Sequence, residues 1–220
     1  QSPARYYQRV DGSSYSVDET ATYLDGFAGE WSLKKASGEH WTGSLTYSIV
    51  TPGYETNEIG FQTRADYKAL AAAVQYAEIA PSIGRYFQAW HYYLVGWNFD
   101  GDVGNQASNI GLYWMFDNQW SLNVNANSNY GRVSDRLSRG GPIMGYNNDL
   151  GINANLTTNQ SKVWSVQLGQ YQRRDVAEEY DSYYWMNFNW RPRSNIQLVF
   201  GPELSYELDQ DQYVTTVERR

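Results

Sequence analysis

The sequence contains no cysteine. That removes disulfide frameworks, thiolate metal sites and thiol nucleophiles together. Histidine is nearly as scarce: His40 and His91 stand far apart, so no imidazole cluster for metal binding or acid–base chemistry is expected. No run of about eighteen apolar residues occurs, so no transmembrane helix is expected. Positive charge is in deficit, with Lys+Arg 17 against Asp+Glu 24, a net charge of −7 and a pI near 4.8. Such a balance argues against a nucleic-acid partner. Neither a nucleophile elbow, nor a phosphate-binding glycine loop, nor an HExxH helix is present, and no cofactor is implied.

Aromatic residues are abundant, with Tyr 20 and Trp 9, as suits strands and membrane interfaces. The most telling stretch is 120–130, WSLNVNANSNY. Trp120, Leu122, Val124, Ala126 and Tyr130 alternate with Asn123, Asn125, Asn127 and Asn129. A strand sends successive side chains to opposite faces, so one face is apolar and ring-ended while the other is lined with amides. A strand of about eleven residues crosses a bilayer at a tilt. The mean hydropathy of −0.66 does not oppose this, because only alternate residues of a membrane strand need be apolar.

The same pattern extends along the chain. Strands are expected over 20–34, 40–50, 65–79, 85–98, 108–117, 120–130, 147–158, 163–173, 182–191 and 196–208. A partial strand is expected over 4–10, and a last one from Tyr213. The alanine-rich 65–79 also fits a helix, but Pro81 and Gly84 close a short turn there and another aromatic strand follows. Pro202 implies a bulge or break within 196–208. Connections alternate between short and long, as in an outer-membrane meander. Trp31, Trp41, Phe116, Trp120, Trp164 and Trp190 lie near short turns, whereas Trp97, Tyr130, Tyr171 and Tyr206 lie near long ones. Two aromatic belts at the membrane interfaces would have this arrangement.

The fold class expected is therefore all-β: an antiparallel up-and-down transmembrane β-barrel, one domain over 1–220. About ten or eleven strands are visible, part of a larger barrel. The implied protein is non-enzymatic and porin-like, in the outer membrane of a Gram-negative cell envelope. It would act as a passive channel or a membrane platform, with membrane lipid as its surroundings. The alternative is a soluble β-sandwich or barrel that binds or processes carbohydrate, with its apolar face turned inward. Against it, the polar face is mostly amide and hydroxyl, and poorer in charge than a soluble surface.

TPGYETNEIGFQTRADY (51–67), GWNFDGD (96–102) and SDRLSRGGPIMGY (134–146) occur in that order. Together they resemble a family of bacterial outer-membrane proteins with a family-9-like carbohydrate-binding module followed by a C-terminal β-barrel domain of unknown function. The resemblance covers most of the chain, from ARYYQR to QYVTTV. It implies a barrel whose remaining strands, or partner envelope proteins, close it, and a link to carbohydrate binding or uptake. The module itself is absent from these residues. The opening QSPARYYQRV, without a basic-then-apolar start, reads as a mature form or a fragment.

For chemistry, Arg64 and Asp66 are two apart and are expected to share a face, and Asp135, Arg136 and Arg139 lie in the longest loop. Folded inward, these groups would form a lumen constriction that selects anionic or sugar-like solutes. The structural alternative is a salt-bridge plug or ordinary solvated loops. Asp100, Asp102 and Asn105 offer hard oxygen ligands but lack the spacing of a calcium loop, which favours a polar turn. Glu178, Glu179 and Asp181 read as a solvated acidic patch.

Overall fold

The structure is a computed structural model that describes residues 9–16, 18, 20–56, 62 and 64–209. Its strands are β1 (Ala28–Lys35), β2 (Trp41–Val50), β3 (Tyr67–Ile79), β4 (Tyr86–Trp97), β5 (Val103–Met115), β6 (Ser121–Asn129), β7 (Val133–Ser134), β8 (Met144–Gly145), β9 (Asp149–Thr157), β10 (Trp164–Asp175), β11 (Tyr180–Arg193), β12 (Ile196–Phe200) and β13 (Glu203–Leu208). Eleven of them form one antiparallel sheet in the order β1-β2-β3-β4-β5-β6-β9-β10-β11-β12, with β13 also on β11. β7 and β8 form a separate small hairpin in the connection between β6 and β9. Among the described residues there is no α-helix, so 65–79 is a strand and not the helix its alanines also allow.

Several boundaries differ from the sequence reading. The strand expected over 20–34 begins only at Ala28, because the Asp18 carboxylate accepts hydrogen bonds from the Thr20 N–H (2.8 Å) and hydroxyl (2.7 Å) and turns the chain. Two connections expected to be long are tight, spanning 98–102 and 176–179. At the first, the Asn98 amide oxygen accepts the Asp102 N–H (2.8 Å) and Gly101 sits at φ +94°. At the second, Asp175 accepts the N–H groups of Ala177 (2.8 Å) and Glu179 (3.0 Å). Polar residues suggest loop where the ladder in fact continues, as in the Arg173–Asp181 pair. The break at Pro202 is present, and β12 and β13 lie end to end along β11. The strand expected over 4–10 lies, apart from Arg9 and Val10, outside the described residues, as does the one from Tyr213.

Directly paired residues on neighbouring strands point to the same face. One rung runs Trp41, Tyr76, Ala89, Leu112, Val124, Ala154, Gln170, Tyr184, Leu204. The rung one residue away runs Gln75, Trp90, Gly111, Asn125, Asn153, Tyr171, Tyr183, Ser205. The alternation read in 120–130 therefore propagates into one mainly apolar and one amide-rich face. Among the described residues nothing covers the apolar face: each strand touches only its sheet neighbours, the exception being β7 against β5. Ile110 is 60% exposed, Leu150 53% and Phe200 62%, and the buried apolar residues are Ala65 and Ala69.

The strands are staggered. The rung at the mouth of the β3–β4 turn, Ile79 with Tyr86, passes through Met115, Ser121, Thr157 and Gln167 and reaches β11 at Asn187, well short of that strand's own turn at Arg193. The sheet is not closed into a barrel: among the described residues the outer edges of β1 and of β12 and β13 have no partner. The all-β antiparallel architecture expected from the sequence is thus present as an open sheet of eleven strands.

On the amide face, a Cβ at Gly111 would collide with the Trp90 ring, whereas one at Gly145 would meet nothing within 4 Å. Gly111→Ala is expected to lower the unfolding free energy by about 1–2 kcal/mol, and Gly145→Ala to leave it unchanged, as read from denaturant midpoints.

A polar cluster at the long-loop rim

Four of the five residues expected at a constriction come together. Arg64, Asp135, Arg136 and Arg139 line a cavity of about 460 Å³ with Gly104, Ser134 and Tyr146. Arg64 lies just before β3, and its Nη2 donates to Asp135 Oδ2 at 2.6 Å. Its guanidinium also sits 5.1 Å from the centre of the Tyr67 ring. Gly104 lies at the start of β5, and the other residues come from the 130–148 connection. The Ser134 hydroxyl accepts the N–H groups of Arg136 (3.3 Å) and Leu137 (2.9 Å), which curls the chain back. Arg139 sits at φ +50° with its side chain exposed.

Asp66 does not join them. The expectation that it shares a face with Arg64 assumed extended backbone, but Asp66 lies at φ +57° and is turned inward. Its carboxylate accepts the Phe99 N–H at 2.8 Å and ties the β4–β5 turn to the start of β3. Burial raises the pKa of this group, and the hydrogen bond from Phe99 opposes that rise.

Behind the cavity lies a polar core that the sequence does not reveal. Asn98 is fully buried, and its Nδ2 donates to Asp102 at 2.9 Å and reaches Asp135 at 3.5 Å. Arg9 is buried and donates to Asp100 (2.7 Å) and Asp102 (3.0 Å). Asp100 also accepts the N–H groups of Ser13 (2.9 Å) and Ser14 (2.6 Å), while Asp11 accepts the Ile143 N–H at 2.9 Å. The carboxylates considered as calcium ligands are thus engaged by an arginine and backbone N–H groups. Segment 9–14 is stitched to two loops of the same rim. Its contacts span 86 to 132 residues of sequence, a separation that no local pattern reports. On the amide face nearby, Asp149 takes Arg132 at 3.0 Å and Asn129 at 2.8 Å.

The aromatic residues divide between the faces. Trp41, Tyr76, Phe87, Trp114 and Phe116 form a band on the apolar face near the short turns, with successive ring centres 5.1, 6.3, 5.7 and 5.2 Å apart. Trp164 pairs with Trp190 further along that face. Trp120 and Trp164 flank a cleft of about 470 Å³ between two short turns. Trp31 instead lies midway along β1, stacked on Tyr47 at 5.9 Å. At the other rim, Trp97 pairs with Lys68 and Tyr206 approaches Tyr180 at 6.0 Å, both on the apolar face. Tyr130 follows β6 beside Gln106. Tyr171 is a correction: it pairs with Asn153 and Tyr183 and so stands on the amide face. Proximity to a rim suggests a belt position, but parity decides the face.

A family profile described as a domain of unknown function (DUF5916) matches residues 3–219. No curated protein and no solved structure matches the chain.

Burial alone would raise the Asp100 pKa, but the hydrogen bonds from Ser13 and Ser14 outweigh it and bring the value from 3.8 down to about 2. A carboxylate with a depressed pKa stabilises the fold above its unfolded value and loses that effect as pH falls through its folded value. Asp100→Asn is therefore expected to cost about 2 kcal/mol at pH 7. Measured by denaturant unfolding, the gap from wild type should narrow as pH drops from about 4 toward about 2.

Proposed function

This chain belongs to the DUF5916 family, a domain of unknown function, and from that premise we propose that it forms the wall of a bacterial outer-membrane β-barrel, a non-enzymatic channel or membrane platform. The observation that carries this reading is the uncovered apolar face. A soluble β-sandwich would need a second layer over Leu33, Leu45, Ile110, Leu150 and Leu168, and the described residues provide none. Monomeric soluble proteins rarely leave apolar patches beyond a few hundred Å² in water. Acyl chains would cover such a face at no cost in hydrogen bonding, since the ladder already satisfies the interior backbone.

Three further features support the same reading. The principal strands β3 to β6 and β9 to β11 run from 9 to 14 residues, spanning the length needed by tilted membrane strands. The one-way stagger of the rungs is the shear that closing a tilted sheet requires. The ring band near the short turns, with Trp41, Tyr76 and Trp114 carrying polar tips, suits the level of lipid headgroups. The edges of β1 and of β12 and β13, without a partner among the described residues, then call for closure by further strands, of the same protein or of an envelope partner.

In this arrangement the amide face looks into water. The Arg64–Arg136–Arg139 cavity stands at one mouth, where its positive groups would narrow the path and favour anionic solutes. The Arg64–Asp135 pair leaves exposed Arg139 as the residue most available to a passing ion.

Because the chain has no cysteine, single cysteines report each face without background. In liposomes, Leu150→Cys and Ile152→Cys are expected to resist a water-soluble maleimide, and Asn153→Cys and Asn155→Cys to react. The reversed pattern, or a protein that stays in the aqueous phase without detergent, would overturn the proposal. Arg139→Ala should reduce anion-over-cation permeability in planar bilayers by a few-fold, an exposed charge in a wide mouth being partly screened.

A further inference from the structure

We infer that the amide face carries a binding groove for a neutral oligosaccharide, with a floor of asparagines between two walls of aromatic rings. The floor is β6 and β9, where Asn125 pairs with Asn153 and Asn123 with Asn155. On one side the same two rungs hold Trp90 on β4 and Tyr113 on β5. On the other they hold Tyr171 on β10 and Tyr183 and Trp185 on β11. Strands lie about 4.8 Å apart, so β5 and β10 stand roughly 14 Å apart along the sheet.

The walls are built to lie flat. A Cβ at Gly111 would collide with the Trp90 ring, and one at Gly169 with the Trp185 ring. Each indole therefore rests on the bare backbone of the neighbouring strand and can turn its other side toward the groove. Trp90 is fixed further by its Nε1–H, which donates to Asn109 Oδ1 at 3.0 Å. Tyr183 stacks on Trp185 with ring centres 5.4 Å apart and planes at 24°. A flat, half-exposed ring on each side is a surface for the apolar faces of sugar rings.

The floor selects for neutrality. From β3 to β10 neither rung holds a carboxylate or a basic group; the nearest carboxylate is Glu203 on β13, beside Trp185 at the outer end of one wall, where it accepts the Tyr183 hydroxyl. Among the described residues, the side chains of Asn123 and Asn153 make no hydrogen bond to the protein, so each offers a donor and an acceptor at once. Hydroxyl groups need both, whereas an anion needs donors only. The groove therefore fits uncharged polyhydroxylated rings, in contrast to the arginines at the loop rim.

This inference deepens the channel reading and rests on it only in that the amide face meets water. The test is calorimetric titration of the full chain, in a zwitterionic detergent without a sugar headgroup, with maltohexaose and with cellohexaose. At least one is expected to bind. Trp90→Ala and Trp185→Ala should each weaken that sugar about tenfold or more, and Trp90→Phe much less, since it keeps a ring. Should an alanine variant fail to fold by circular dichroism, Trp90→Phe and Asn153→Asp keep the inference testable, the aspartate being expected to weaken binding by placing a charge on the floor. Absence of binding by both sugars would overturn the inference, as would binding indifferent to Trp90, Trp185 and Asn153. So would binding of hexagalacturonate alone, lost in Arg136→Ala and Arg139→Ala. If Asn153→Cys reacts with water-soluble maleimide yet no sugar binds, the groove fails and the channel stands; a shielded Asn153→Cys removes the channel reading itself.

Discussion

The hydrogen-bonded rung governs this molecule. Once Trp41 is set opposite Tyr76, and Tyr76 opposite Ala89, every residue across nine strands is assigned to a side. A slip of one residue at any ladder would transfer a strand's leucines to the amide side. Ladders with this much contrast between faces hold their register firmly, because the wrong pairing places Asn125 among leucines and Val124 among amides. Side-chain contacts on the amide face add to this: Asn109 and Asn125 exchange amide hydrogen bonds at 2.8 and 3.0 Å.

The two rims divide the remaining work. One is closed by short turns and banded by rings on the apolar side. The other gathers buried charge, in the Arg9–Asp100–Asp102 and Arg64–Asp135 pairs and the Arg132–Asp149 pair. Such groups stabilise a loop only while they remain paired, since an orphaned charge in that setting costs several kcal/mol. That condition explains why Asn98, with no charge of its own, lies fully buried among them: its amide group donates to two carboxylates and accepts a backbone N–H.

Much of this is legible in the sequence, and for a physical reason. Period-two patterning is local, so 120–130 announces both its strand and its two faces, and Pro202 marks a break by lacking an N–H. Alternation within 163–173, where Val166 and Leu168 share a face, already sets Tyr171 on the opposite one, so its belt assignment rests on rim proximity and not on parity. Alternation does not report where a strand begins, so it cannot show that Trp31 lies midway along its strand. Polarity misleads at 98–102 and 176–179, where Asn98 and Asp175 fold the backbone tightly instead of leaving it loose. Four of the five charged residues expected together do line one cavity; Asp66 falls outside because positive φ breaks the alternation on which its placement relied. The tie between Arg9 and Asp100 joins distant parts of the chain and has no local signature.

Almost every ladder in the sheet joins strands that are consecutive in the chain. Each hairpin can thus form with little loop-closure entropy and offer its free edge to the next, a low-contact-order route. β13 reaches β11 past the short β12, and the one long detour is between β6 and β9, which can meet only after the 130–148 connection has doubled back. The small β7–β8 hairpin shortens that excursion. Assembly of the sheet thereby acquires a natural pause at its midpoint, dividing a six-stranded amino-terminal half from the carboxy-terminal strands that zip on afterwards.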